Sequence, residues 1–339
     1  MAPENVILYH YSYSPYARRV AWYLTLRGIP YAQCMQPPTM PRPDVARLGI
    51  EYRRIPILSI GRDVYLDTRL QLIKLEEMEV SLPRLGAERP DQRAVERLLS
   101  RLMTDGGVFG WAASLLPRDM PLLKDPAFQK DRAEFFGSQP RPDPRHVALR
   151  EVASVFGLLE TTLLADGRDW VLGTPAPGLA DIEAVWPLHW LAGVPGALPG
   201  DVFGPRAYPR VYAWIRRFEE AVRRARGRAG RPRTVGGEEA QRIILGSGYH
   251  EAEGRVDGGD PEVVALGLAK GDVVTVGPTD FGAARRDVGR LVGLDADEVV
   301  YETETETGAE AGARGRPVRV HAPRHGFRIH GVREDGVRL

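Results

Sequence analysis

The chain has 339 residues, too many for one ordinary core, so two or three domains are expected. Its 46 Lys and Arg against 45 Asp and Glu leave a formal net charge of +1, which excludes a global field that gathers nucleic acid or anionic membrane. A single cysteine, Cys34, excludes an internal disulfide and a cysteine-based zinc site. The opening segment MAPENVILYHYSYSP lacks the basic and apolar regions of a secretory signal, and no apolar run approaches the ~18 residues of a membrane span. A cytoplasmic protein without nucleic acid or membrane as partner is expected.

In chain order, Val6 to Tyr11 is an apolar run suited to a buried strand. Pro15 opens a helix with Val20, Tyr23 and Leu24 on one face, and Gly28 ends it. Tyr31 to Met35 reads as a second strand, followed by a connector holding Pro37, Pro38, Pro41 and Pro43. Ile57 to Ile60 and Val64 to Leu66 form a hairpin turned at Gly61-Arg62. Asp67 or Thr68 then caps a helix running to about Met78. The order is that of an open α/β sheet with one antiparallel portion.

From about Pro90 to Gly246 the periodicity is helical. Val152, Val155, Phe156, Leu159 and Leu163 form one stripe; Val211, Trp214, Ile215, Phe218 and Val222 form another. Near Gly227 the composition changes: RRARGRAGRPR reads as a helix end and basic linker. Short strands follow at Val273–Val276, Glu298–Thr303, Val318–His321 and Gly326–His330. Val288 to Leu294 fits a strand or a helix, and residues 302–315 read as a solvated loop. Three domains are expected, over residues 1–80, 88–246 and 247–339.

Three segments of the first domain belong together. Tyr11 to Arg19 joins a strand end to a helix start, where unpaired N–H groups and a partial positive charge suit a thiolate. Arg53-Arg54-Ile55-Pro56 places a proline directly before a strand. Asp67-Thr68-Arg69 opens a helix with a carboxylate and a hydroxyl.

These segments resemble the glutathione-binding domain of cytosolic glutathione transferases. Ser14-Pro15-Tyr16-Ala17 is similar to the Ser/Cys-Pro-Phe motif of the tau-like and omega-like classes. Ile55-Pro56 resembles the hallmark cis-proline, whose preceding residue pairs through its backbone with the cysteinyl part of glutathione. Asp67-Thr68 stands where the family has a Glu/Gln-Ser pair for the γ-glutamyl group. Gly178-Leu179-Ala180-Asp181-Ile182 is similar to the capping motif of a core helix. The resemblance covers roughly residues 5 to 225, and the wording around YRRIPILSIGRDVYLDT with the tail looks like a group of fungal transferase-like proteins.

The resemblance implies a thioredoxin-like domain, then an all-α domain, with a small β-rich module added. It implies glutathione as co-substrate, no metal, and a homodimer. Ser14 is then the catalytic donor to the glutathione sulfur, and Ile55, Pro56, Asp67 and Thr68 bind glutathione. Tyr13, Tyr16, Phe109 and Trp111 line the pocket for a small hydrophobic electrophile. A free thiol has a pKa near ~8.5, so reactivity requires stabilising the anion.

Plainer readings stand beside these. Ser14 is also an ordinary turn serine, with Tyr11, Ser12 and Tyr13 as rivals, and Asp67 and Thr68 are also simple caps. Cys34 reads as an inert core thiol, and His321, His325 and His330 are separated by a turn signal that disfavours metal binding. Two further functions stay open: a glutathione-independent reaction in the same cleft, and a non-enzymatic binding protein.

Overall fold

The computed structural model describes residues 5–137, 144–305 and 315–332. The first module is β1 (Val6–His10), α1 (Pro15–Leu26), β2 (Ala32–Met35), α2 (Pro43–Ala46), β3 (Ile57–Ile60), β4 (Asp63–Tyr65) and α3 (Thr68–Glu77). β1 pairs in parallel with β2 and antiparallel with β3, and β3 turns back into β4. This is the expected thioredoxin-like arrangement. Its strands alternate strictly: Val6 and Leu8 join one core while Ile7 and Tyr9 join another on the opposite sheet face. Both faces are therefore covered, which explains why β1 and β3 are buried at every position.

The helical region holds α4 (Pro90–Thr104), α5 (Val108–Ser114), α6 (Pro121–Lys124), α7 (Pro126–Phe136) and α8 (Arg145–Leu158), which runs into a π-helical turn at Leu159–Leu163. α9 (Leu179–Ala192), α10 (Pro209–Ala229) and α11 (Gly237–Gly246) follow. α9 is apolar on every side because it is the central helix, buried from Leu179 to Leu188. Its start is fixed by the Asp181 carboxylate, which accepts from the N–H groups of Gly178 and Val171 at 3.0 Å and from Trp214 Nε1 at 2.8 Å. No helix among the described residues is long and apolar enough to cross a membrane.

The C-terminal module consists of α12 (Pro261–Leu266), β6 (Val273–Pro278), β7 (Asp287–Leu294), β8 (Glu298–Thr303), β9 (Val318–Pro323) and β10 (Phe327–Gly331). Val288 to Leu294 is thus a strand. The basic run divides: Arg223, Arg224, Arg226 and Arg228 extend α10, while Arg233–Thr234 forms β5 on the edge of β2. Cations at a helix C-terminus meet the negative end of its dipole. Of the expected 302–315 loop, residues 306–314 lie outside the described residues.

The module adds strands to the first sheet rather than forming a separate layer. β9 pairs in parallel with β4, giving one ten-stranded sheet in the order β10-β6-β7-β8-β9-β4-β3-β1-β2-β5. The β4 edge, open in a four-stranded sheet, is thereby covered.

A buried charge network sits at that seam. His321 Nε2 lies 3.0 Å from Asp63 Oδ1, and its Nδ1 lies 3.0 Å from Glu298 Oε2. Lys74 of α3 donates to Glu298 at 2.7 Å and Glu251 at 2.8 Å, and the Tyr65 hydroxyl donates to Glu251 at 2.7 Å. Ligand atoms of Glu251, Glu298 and His321 lie within 4.8 Å of one another. The Lys74 ammonium thus bonds both carboxylates of this cluster. Of the other two histidines considered for metal, His325 meets Asp105 at 3.0 Å and His330 lies on edge strand β10.

Candidate functional site

The site is built from two helix starts and one strand entrance. Ser14 is the N-cap of α1: its Oγ accepts from the Ala17 N–H at 3.2 Å. Capping uses the hydroxyl as an acceptor and leaves its proton to donate. Ser14 is only 1% exposed, however, whereas its rivals Ser12 and Tyr13 are exposed.

The Ile55–Pro56 bond is cis, as the resemblance implies. The Pro56 carbonyl and the Tyr65 carbonyl each accept from the fully buried Gln71 Nε2 at 2.9 Å. Among the described residues no backbone group bonds the Ile55 N–H or C=O, so this short length of chain keeps its peptide groups for another partner.

Asp67 caps α3, its Oδ1 accepting the Arg69 N–H at 3.0 Å. The Arg69 side chain then folds back, donating from Nε to Oδ1 and from Nη2 to Oδ2, each at 3.1 Å. Burial alone raises a carboxyl pKa; the Arg69 guanidinium and N–H override it and hold Asp67 below its ordinary value. Its backbone has φ +61°, uncommon outside glycine and a strain that clusters at ligand sites. Thr68 is buried, and its hydroxyl accepts from Arg19 Nη1 at 2.7 Å.

Arg19, at the end of the Tyr11 to Arg19 segment, is a further part of the site. It is fully buried, ion-paired to Glu183 of α9, and 5.6 Å from the centre of the Trp186 ring. It ties α1 to α3 and to the helical region at once. Its signal is absent from a single-helix pattern, because the partners lie 49 and 164 residues away.

The expected electrophile pocket is distributed differently. Tyr16 packs on Phe109 at 4.7 Å and on Trp186 at 4.6 Å, and Phe109 also stacks on Trp190 at 5.6 Å. These rings seal the junction of α1, α5 and α9. Burial raises the Tyr16 pKa far above the neutral range, so its phenol stays protonated. Trp111 lies half-buried on the same short helix as Phe109. Tyr13 stands apart, 44% exposed and 4.8 Å from Tyr11.

Two loops of the C-terminal module reach this region. His325 meets Asp105, which accepts from Arg69 Nη1 at 2.7 Å. Arg54, directly before Ile55, donates to Asp280 and to the Phe281 carbonyl. An open cavity of about 530 Å³ lies at the junction of the modules, lined by Glu51, Arg53, Glu134, Ala284, Arg285 and Arg286. It adjoins the Arg54 end of the site rather than Ser14.

Residues 8–78 match the family described as Glutathione S-transferase, N-terminal domain. The match spans the first module from β1 to α3. Residues 111–227 match a family described as a domain of unknown function, DUF7962. No curated protein matches the chain. A GST-like protein from Pseudomonas syringae is similar in structure at 24% identity, with a TM-score of 0.71, covering 97% of this chain and 99% of that one. The shared fold therefore extends through the C-terminal module. A tau-class glutathione S-transferase from mango is 19% identical over 66% of this chain and 93% of its own, with a TM-score of 0.48. A glutathione transferase family member from Pseudomonas fluorescens, with two glutathione bound, is 19% identical over 66% and 92%, with a TM-score of 0.47.

Proposed function

We propose that the chain is a glutathione-transferase-like enzyme that adds the glutathione thiolate to a small hydrophobic electrophile. The observation that carries this reading is the free peptide edge of Ile55 between two capped helix starts, at Ser14 and Asp67. An extended peptide ligand pairs with such an edge through its own backbone. Its γ-glutamyl ammonium then meets the Asp67 carboxylate, and its carboxylate meets the Thr68 N–H at the positive end of α3. The sulfur falls at the start of α1. Lowering a thiol pKa by about two units takes ~2.7 kcal/mol, within reach of one charge-assisted hydrogen bond and a helix terminus.

Ser14 is the donor in the first reading, which keeps the tau-like or omega-like assignment and the grouping with fungal transferase-like proteins. The 44% exposure of Tyr13 against 1% for Ser14 favours a second, in which the Tyr13 phenol donates. Burial and Tyr11 raise its pKa, so the phenol is protonated at neutral pH. Turnover of glutathione with an aryl halide separates them. Loss of kcat in Ser14→Ala with Tyr13→Phe active supports the first, and the reverse supports the second. Full activity in both refutes a hydroxyl donor.

A cytoplasmic homodimer completes the proposal. Because β9 covers the β4 edge, the dimer uses another face. A mass of 37.6 kDa in light scattering would show a monomer and contradict it.

A further inference from the structure

The loop between β6 and β7, residues 279–286, belongs to the C-terminal module but lies against the first module and α7. Arg54 Nε donates to the Phe281 carbonyl at 2.9 Å and Nη2 to Asp280 Oδ1. On the other side, the Gly282 N–H donates to the Phe135 carbonyl at 2.8 Å. The fit is close: a Cβ at position 282, where φ is +75°, meets the Arg53 stem at 3.0 Å. The loop is thus fixed to the two residues that lead into Ile55-Pro56.

A loop seated this firmly still leaves aromatic surface in solvent. Phe281 and Phe136 are each 38% exposed. Phe281 stacks on Phe135 at 5.8 Å and meets Phe136 edge-on at 5.4 Å. The Arg132 guanidinium lies 4.8 Å from the Phe135 ring centre and 5.0 Å from that of Phe128, so the back of this aromatic face is held by a fixed cation. Rings held in place by neighbours lose little freedom when a ligand covers them, and their faces favour another ring. Tyr16 and Phe109, by contrast, spend their faces on Trp186.

We infer that the C-terminal module is part of the ligand site, Phe281 with Phe136 forming the face that receives an aryl group carried on the glutathione sulfur. The inference rests on the glutathione reading above. It makes Phe281 a specificity-determining residue supplied by a module outside the matched N-terminal domain.

The test is calorimetry of S-methylglutathione and S-benzylglutathione with the full chain. Wild type is expected to bind the benzyl ligand roughly ten-fold more tightly, as covering one ring gives. In Phe281→Ala and Phe281→Leu the ratio falls to about two-fold with S-methylglutathione affinity kept, and Phe281→Tyr restores the ratio. Val264→Ala, at an exposed position on α12, leaves it unchanged. An unchanged ratio in Phe281→Ala and Phe281→Leu overturns the inference while sparing the glutathione reading. Binding of neither ligand to wild type overturns both. An intact ratio with a changed mass in light scattering makes the face an interface between copies and also overturns it.

Discussion

Arg69 holds both oxygens of Asp67, Nε on Oδ1 and Nη2 on Oδ2, each at 3.1 Å. The same guanidinium reaches Asp105 through Nη1 at 2.7 Å. The carboxylate expected to meet glutathione is therefore aimed before any ligand arrives. Because Asp67 is held below its ordinary value, its contribution to stability is present above about pH 3.9 and lost as pH falls through its folded value. Arg69→Met is expected to lower stability by about 1–2 kcal/mol at pH 7, with the difference from wild type shrinking below about pH 4. Urea unfolding at both pH values checks this, and a deficit independent of pH contradicts it.

Glu183 is the counter-charge of the fully buried Arg19. Glu183→Ala leaves a guanidinium uncompensated inside the protein, which costs about 3–5 kcal/mol. The double variant Arg19→Met, Glu183→Leu is expected to recover most of that loss, because removing both charges removes the desolvation penalty. Thermal unfolding of the two variants decides it; a Glu183→Ala variant as stable as wild type contradicts the bridging role.

His321 joins the first module to the C-terminal one. Burial works against its charged form, but Asp63 and Glu298 override this and raise its pKa to about 9. A ring that takes up a proton on folding adds stability fully below its ordinary value near ~6.5, and loses it as pH rises through about 9. Stability is thus expected to fall by up to about 3 kcal/mol between these limits. In His321→Gln that slope flattens. A wild-type profile that is level over this range refutes a charged His321.

Much of the site was legible because its signals are local. Pro15 before an apolar helix face, Pro56 before a strand, and Asp67 at a helix start each announce themselves within four residues. The strand at Glu298–Thr303 was likewise visible in its β-branched alternation. Arg19, Gln71 and Arg54 were not legible as site components, since their roles depend on partners 164, 15 and 226 residues away. The tail was harder still. Strand patterns told that β9 exists, but pairing of β9 with β4 is a choice of edge that no alternation encodes. For the same reason the approach of Phe281 to Arg54 left no mark in either segment. The packing of Tyr16 and Phe109 on Trp186 likewise joins residues far apart in the chain and left no mark in either segment.

The central claim is tested most directly by titrating glutathione into wild type and Asp67→Ala by calorimetry. The account predicts saturable binding to wild type at one site per chain and a loss of at least roughly ten-fold in affinity in the variant, the worth of one charge-assisted hydrogen bond. Equal binding to both proteins would contradict the placement of the γ-glutamyl group at Asp67. No binding to wild type would contradict the glutathione site itself.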